Sequence, residues 1–77
     1  MVQAFILIQT EVGKATSIAQ QIAGLSGVLT SEDVLGPYDV VVRIEAAGAD
    51  EMPAVVQRIQ QVAGITRTLT CQVAASA

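Results

Sequence analysis

The sequence is poor in several residue types that carry chemistry. It contains no histidine and no tryptophan, and only one cysteine, one tyrosine and one phenylalanine among its 77 residues. The lone Cys71 excludes an internal disulfide framework, so we expect a reducing, cytoplasmic compartment. No apolar run reaches the roughly 18 residues of a membrane-spanning helix. No basic segment followed by an apolar one, as in a secretory signal, is present.

Positive charge is also scarce, with four lysines and arginines against seven acidic residues. Proteins that bind nucleic acid directly present a basic face to the phosphates, so we expect no direct nucleic-acid binding. Because histidine, a cysteine pair, a metal-binding cluster and a cofactor motif are all missing, we predict neither an enzyme nor a cofactor. The pair Gly13-Lys14 lacks the rest of a phosphate-binding loop.

Apolar residues are abundant. They make up 52% of the chain, and only 14% is charged, against roughly 25% in ordinary globular proteins. A domain of this length buries only about 60% of its unfolded surface. Apolar surface is therefore either exposed or covered by another subunit. We favour the second, because large exposed apolar patches usually mark interfaces, and we predict a homo-oligomer.

Hydrophobic periodicity predicts a single domain over residues 1–77 with the element order β-α-β-β-α-β. Alternating and β-branched stretches indicate strands, and apolar residues three and four apart indicate helices. Asp50 is the predicted N-cap of the second helix, and the small residues 74–77 are predicted to form a frayed tail. The predicted bounds are 2–9, 27–35, 39–46 and 65–73 for the strands and about 13–24 and 50–64 for the helices.

A short repeat supports two similar halves, since QQIAG (20–24) recurs as QQVAG (60–64) before a strand each time. Two right-handed βαβ halves give a ferredoxin-like α+β sandwich, a four-stranded antiparallel sheet with both helices on one face. The other face stays bare. It would carry Phe5, Leu7 and Val41, or the opposite alternating set, and suits pairing with a second copy in a dimeric α/β-barrel arrangement.

Two runs of the sequence, GVLTSEDVLGPYDVVVRIEA and IQQVAGITRTLT, resemble the effector-binding (RAM) domain of the Lrp/AsnC feast/famine transcriptional regulators. The motifs that carry the resemblance are the turn Gly36-Pro37-Tyr38-Asp39 and Gly64-Ile65 followed by Thr68-Leu69-Thr70. The resemblance implies the same fold, dimers formed through the sheets, rings of dimers such as octamers, and a small amino acid bound between dimers. Relatives usually carry an N-terminal helix-turn-helix. This sequence starts at the first strand, so we expect a stand-alone sensor domain.

The turn supplies three candidate ligand-binding residues. Gly36 suits a turn that needs positive φ, and in the family the backbone near this glycine also lies against the ligand. Asp39 has two open interpretations, a turn carboxylate that bonds backbone or an acceptor for the ammonium of a bound amino acid. Tyr38 is interpreted either as a wall over the ligand or as an amphipathic ring at a subunit edge.

The fourth strand supplies the other three candidates, Thr66, Thr68 and Thr70. Threonine suits strands in general, but three hydroxyls at alternate positions also form a row able to bond a carboxylate or an amide. The family motif favours Thr68 and Thr70. Arg67 points the other way and is interpreted as an interface or solvated charge, and Cys71 as a small packed residue.

The predicted function is therefore an oligomeric amino-acid-sensing module that binds its effector at a contact between dimers. Such a ligand stabilises whichever assembly forms the contact, and the module could then modulate full-length Lrp/AsnC regulators by co-assembly. Two alternatives remain open. One is a protein–protein adaptor that binds no small molecule, and the less favoured one is a small ferredoxin-like enzyme.

Overall fold

The computed structural model describes residues 1–74, and within them the predicted element order is confirmed. The described strands form one antiparallel sheet in the order β2-β3-β1-β4, the ferredoxin-like α+β fold. Residues 75–77 of the predicted tail lie outside the described residues. The elements are β1 (Val2–Thr10), α1 (Ala15–Ala23), β2 (Val28–Asp33), β3 (Val40–Ala46), α2 (Met52–Gln60) and β4 (Ile65–Gln72).

The core lies between the sheet and the helices. The central strands β1 and β3 are apolar at every second position, and their register pairs these positions, as in Ile6 opposite Val42. Among residues 1–74 no buried side chain is polar or charged. The core side chains are Ala4, Ile6, Ile8, Ile18, Ala19, Ile22, Val40, Val42, Ile44, Ala46, Met52, Val55 and Ile59.

The two helices depend on this core for their stability. Each has nine residues, which is too short for a stable isolated helix in water. α1 buries Ile18 and Ile22, and α2 buries Val55 and Ile59. Burying such a side chain contributes about 1.5–3 kcal/mol. Neither helix in the described part of the chain is long and apolar enough to cross a membrane.

The predicted N-cap of α2 is wrong. The cap residue is Glu51, with φ −93° and no side-chain hydrogen bond to the helix, and Pro53 falls in the first turn as its missing N–H allows. The backbone N–H of Glu51 donates to the carbonyl of Gly48 at 3.1 Å. The chain thus enters α2 through a backbone turn in helical conformation, whereas a side-chain cap such as Asp50 requires an extended residue.

Two of the predicted elements, β2 and α2, extend too far at their C-terminal ends. β2 ends at Asp33, two residues early, because the N–H of Val34 turns to the carbonyl of Asp39. α2 ends at Gln60 rather than at Gly64. Gly64 has φ +98° and marks the entry to β4 instead.

The two halves of the chain are aligned by a shift of 37 residues, from Ala15 to Met52 at the helix starts. Both helices lead into a four-residue loop that ends in a glycine of positive φ, Gly27 (93°) and Gly64 (98°). The QQIAG and QQVAG motifs lie 40 residues apart in the sequence, so they are not structural counterparts. Gly24 caps α1 with φ −86°, a conformation that requires no glycine.

The face of the sheet opposite the helices, hereafter the open face, carries apolar side chains that are exposed or half-buried, with polar and charged side chains among them. Phe5 is 36% exposed and Leu69 is 46% exposed, and Leu7 and Val41 are half-buried. Of the two alternating sets that the sequence allowed, the open face therefore carries the one with Phe5, Leu7 and Val41. Cys71, opposite Phe5 in the register, is exposed, and the prediction that it packs within the chain is wrong because no helix covers this face.

Arg43 lies across the Phe5 ring on the open face. The guanidinium carbon of Arg43 is 5.0 Å from the centroid of the Phe5 ring, within the range of cation–π attraction. The same group donates from Nε to Oε1 of Gln3 at 3.0 Å and also from Nη2. The charge is thus held against the sheet, over one face of the Phe5 ring.

Candidate functional site

The loop between β2 and β3 is fastened to the end of β1. The N–H of Asp39 donates to the carbonyl of Ile8 at 2.8 Å, and the N–H of Val34 donates to the carbonyl of Asp39 at 2.9 Å. The side-chain amide of Gln9 donates to the carbonyl of Pro37 at 3.1 Å. These bonds hold the base of the loop, and its tip at Leu35 projects from the sheet.

Gly36 has φ +150°, as the sequence predicts for this turn. A Cβ placed on it would meet no atom within 4 Å, so backbone conformation rather than space requires glycine here. Tyr38 is half-buried beside it. Whether either residue touches a ligand stays a prediction.

The Asp39 carboxylate has a structural role in the described chain. Its Oδ2 accepts the backbone N–H of Thr10 at 2.8 Å. Thr10 lies where the register between β1 and β4 shifts, so the carboxylate pairs an amide at the irregular end of the strand. A carboxylate offers about four lone-pair sites, and one such bond leaves capacity for a ligand ammonium.

A groove of about 470 Å³ runs beside this carboxylate, within the size range of small-molecule sites. Its walls are Asp39, the β1–α1 loop with Glu11 and Gly13, and Thr16 in the first turn of α1. Two carboxylates and no cationic side chain line it among the described residues. This arrangement favours a small cation such as an ammonium group.

The three threonines lie on the helix side of β4. The register places Thr68 opposite Ile8 and Thr70 opposite Ile6, two core residues. Because β4 is an edge strand, this side is only partly covered. Thr66 and Thr70 are exposed and Thr68 is half-buried.

Each threonine has a different neighbour. Thr66 donates from its hydroxyl to the carbonyl of Gln9 at 3.2 Å. Thr68 accepts the side-chain amide of Gln60 at 3.0 Å. Thr70 lines a separate groove under α2. The hydroxyls thus form a row that points at three different environments.

A single chain does not bring the six predicted residues into one cavity. The β2–β3 loop lies on one side of β1 and β4 lies on the other. The end of β1 lies between them, and Gln9 bonds both Pro37 and Thr66. Sequence reasoning missed Thr10 and Glu11, which lie between the predicted first strand (2–9) and the predicted first helix (about 13–24). The predicted topology was the available signal, because it places the end of β1 beside the start of β3.

The groove under α2, hereafter the α2–β4 groove, measures about 550 Å³. Its floor is apolar, with Met52, Pro53 and Val56, and its rim carries neutral side chains such as Gln57 and Gln72. No charged residue of the described chain lines it. It is therefore suited to apolar or amide-bearing groups.

Comparison with known proteins gives one matching family. The family model described as the Lrp/AsnC ligand binding domain matches residues 3–76. The protein TTHA0845 of Thermus thermophilus has a similar crystal structure, with 29% identity, a TM-score of 0.90, and coverage of 100% of this chain and 98% of that chain. The feast or famine regulatory protein of Mycobacterium tuberculosis, solved with L-methionine, has 21% identity and a TM-score of 0.73 over 99% of this chain and 52% of that one.

Two curated relatives are longer proteins. An uncharacterized HTH-type transcriptional regulator of Pyrococcus furiosus is 30% identical over 71 residues, which cover 87% of this chain and 47% of the regulator. A homocitrate synthase of Sulfurisphaera tokodaii is 27% identical over 70 residues, 90% of this chain and 15% of the synthase. The chain thus spans less than half the length of each.

Proposed function

The chain belongs to the Lrp/AsnC ligand-binding domain family, and on that premise we propose that it is an amino-acid-sensing module that works as an oligomer. The observation that carries the proposal is the acidic groove beside the fixed β2–β3 turn. A free α-amino acid presents an ammonium group, and the Asp39 and Glu11 carboxylates of this groove are its natural acceptors. A charge-assisted bond of this kind contributes about 1.5–3 kcal/mol.

The other end of the amino acid is assigned to a second copy. Its carboxylate needs donors, and the hydroxyls of Thr68 and Thr70 lie across the sheet from the turn of their own chain. A neighbouring copy brings such a threonine row to the acidic groove, so that the effector lies at a contact between dimers, with Gly36 and Tyr38 beside it. The methionine complex of the Mycobacterium tuberculosis relative supports an amino-acid ligand.

The open face supports the dimer that this scheme requires. Its exposed Phe5 and Leu69 and half-buried Leu7 and Val41 form an apolar surface on both central and edge strands. Pairing of two such faces removes this surface from water. A ligand that binds only the assembled form shifts assembly tenfold for each 1.4 kcal/mol of differential affinity.

We propose that the partners of the module are full-length regulators like the Pyrococcus furiosus relative, and that it works beside them in the cytoplasm. A second candidate is an enzyme of amino-acid synthesis. It is favoured by the homocitrate synthase, part of which matches 90% of this chain. In both cases the module would report the level of an amino acid to a larger protein.

Titration calorimetry with a panel of the standard amino acids tests the proposal. We expect heat from at least one, and Asp39→Asn should weaken its binding at least tenfold because the amide keeps an acceptor for Thr10 but loses the charge. Asp50→Asn is the matched control, since this exposed carboxylate lies outside the acidic groove. Its binding should equal that of the wild type.

Three results would count against the proposal. Equal binding by Asp39→Asn and wild type would remove the ammonium role of Asp39. An absence of heat with every amino acid, on protein known to be oligomeric, would favour an adaptor that binds no small molecule. Turnover of an amino acid during the titration, detected by mass spectrometry, would favour an enzyme.

A further inference from the structure

The polar side chains that line the acidic groove are Thr10, Glu11, Thr16 and Asp39. From their hydrogen bonding we propose that the groove selects an amino acid whose side chain carries a second cationic group, an ammonium or a guanidinium. The inference rests on the proposed sensing function and narrows its effector to one chemical class.

The two hydroxyl groups in the groove wall present only acceptors to a ligand. Thr16 donates its hydroxyl proton to Oδ2 of Asp33 at 3.0 Å, and Thr10 donates its own to the carbonyl of Glu11 at 3.1 Å. A hydroxyl has one proton, so each oxygen retains only lone pairs for a ligand. Together with the Glu11 and Asp39 carboxylates, the polar side chains of the described wall are therefore all acceptors.

The acidic groove also concentrates negative charge. Asp33 adds a third carboxylate behind the Thr16 hydroxyl, and no cationic side chain among residues 1–74 lines the groove. The α-ammonium of a bound amino acid has three N–H donors, too few for two carboxylates and two hydroxyl oxygens. A second cation on the ligand supplies further donors and offsets the second carboxylate of the wall.

The two wall carboxylates are held differently, and this assigns their roles. Oδ2 of Asp39 accepts the N–H of Thr10 at 2.8 Å, and the N–H of Asp39 donates to the carbonyl of Ile8 at 2.8 Å. This fixed acceptor suits the α-ammonium, which every amino acid shares. Glu11 is longer and exposed in the β1–α1 loop. It suits the side-chain cation, whose distance from the α-carbon differs between lysine and arginine.

The other grooves of the described residues lack this combination. No charged residue lines the α2–β4 groove. The groove at the start of α2 contains Arg58 beside its carboxylates, and Nη1 of Arg58 donates to the carbonyl of Ser26 at 3.2 Å. Its charges therefore partly offset each other, whereas those of the acidic groove do not.

Effectors of other classes fit the acidic groove poorly. An apolar side chain would remove water from the Glu11 carboxylate without replacing its hydrogen bonds, which is costly. An acidic side chain would be repelled by the same carboxylate. The groove thus discriminates among amino acids by charge.

Titration calorimetry on the full chain with matched ligands tests the inference. Norleucine lacks only the side-chain ammonium of lysine, and citrulline replaces the guanidinium of arginine by a neutral ureido group. At least one cationic ligand should bind about tenfold or more tightly than its neutral match. Added salt should reduce this preference, because exposed charges are screened.

Two variants separate the roles of the carboxylates. Glu11→Gln keeps the size of the side chain but removes its charge. It should abolish the preference for the cationic ligand and leave the affinity for the neutral match close to the wild-type value. Asp39→Asn should weaken both ligands of a pair, because both carry the α-ammonium. Glu51→Gln is the control, since Glu51 is exposed and lies outside the acidic groove, and it should bind like the wild type.

Each contrary outcome has its own meaning. Equal binding within both ligand pairs would overturn the inference and leave the proposed sensor intact. An unchanged preference in Glu11→Gln would overturn the role of Glu11. Cadaverine, which is lysine without its carboxylate, would indicate a diamine site if it bound as tightly as lysine, and amino-acid sensing would fall as well. An absence of heat with every amino acid would remove the proposed function itself.

Discussion

The two halves of the chain, β1-α1-β2 and β3-α2-β4, have the same order of elements but differ in how the helix contacts its edge strand. In the first half, α1 is bonded to the edge strand β2. Ser31 donates from its hydroxyl to the carbonyl of Ala19 at 2.7 Å, and Thr16 donates to the Asp33 carboxylate at 3.0 Å. In the second half, α2 and β4 are joined by the exposed bond between Gln60 and Thr68, and the α2–β4 groove lies between them. The helix is thus bonded closely to the edge strand in the first half, whereas a groove separates the two in the second half.

In the core, by contrast, the two halves make equivalent contacts with each other. A Cβ on Gly27 would lie 2.9 Å from the side chain of Val55 in α2, and a Cβ on Gly64 would lie 2.9 Å from the side chain of Ile18 in α1. Val55 and Ile18 are themselves counterparts under the 37-residue shift from Ala15 to Met52. Each glycine therefore lets the start of one half's strand approach the other half's helix. The asymmetry is confined to the edges.

The strongest test of the shared core is a pair of matched cavities. Ile22 and Ile59 are counterparts and are both fully buried. Ile22→Ala and Ile59→Ala should each lower the free energy of unfolding by about 2–5 kcal/mol, and by similar amounts, in urea titrations at fixed protein concentration. A much smaller cost for Ile59→Ala would mean that the second half is loosely packed inside as well as at its edge.

The next largest changes in the free energy of unfolding are expected at Gly27 and Gly64. Gly27→Ala and Gly64→Ala combine positive φ with the 2.9 Å contacts, and each should lower the free energy of unfolding by about 1–3 kcal/mol. Gly24→Ala is the control, because its φ is negative and its nearest contact of 3.7 Å is ordinary. We expect no loss there in thermal or urea unfolding. A neutral Gly64→Ala would show that β4 can move away from α1 at little cost.

The edge bonds give the smallest effects and test the asymmetry directly. Ser31→Ala should lower the free energy of unfolding by about 1 kcal/mol, because it removes the bond from its partly buried hydroxyl to the carbonyl of Ala19. Gln60→Ala should change it by less than about 0.5 kcal/mol, as expected for an exposed position. Equal losses in the two variants would contradict the view that only the first edge is closed.

The order of elements and the core could be read from the sequence because both follow from side-chain periodicity. Ile6 and Ile8 alternate with Phe5 and Leu7, and once the topology is known the buried set follows. Boundaries set by backbone bonding could not be read in this way. The end of β2 depends on the bond from Val34 to Asp39, which joins residues on either side of a loop.

The candidate site was only partly predictable for a similar reason. Asp39 stood out through its turn motif, whereas Glu11 became relevant only when the fold placed the β1–α1 loop beside it. The sequence repeat QQxAG aligns the two halves with a shift of 40 residues, whereas the buried positions align them with a shift of 37. The second alignment pairs Ile18 with Val55 and Gly27 with Gly64.

The proposed working unit contains more than one copy of this chain, with the open faces around Phe5 and Leu69 paired. Sedimentation equilibrium over a wide concentration range, with and without amino acids, tests it most directly. We predict a mass of at least twice 8.0 kDa throughout, increased further by an effector. A folded species of 8.0 kDa at every concentration, unchanged by any amino acid, would contradict the account.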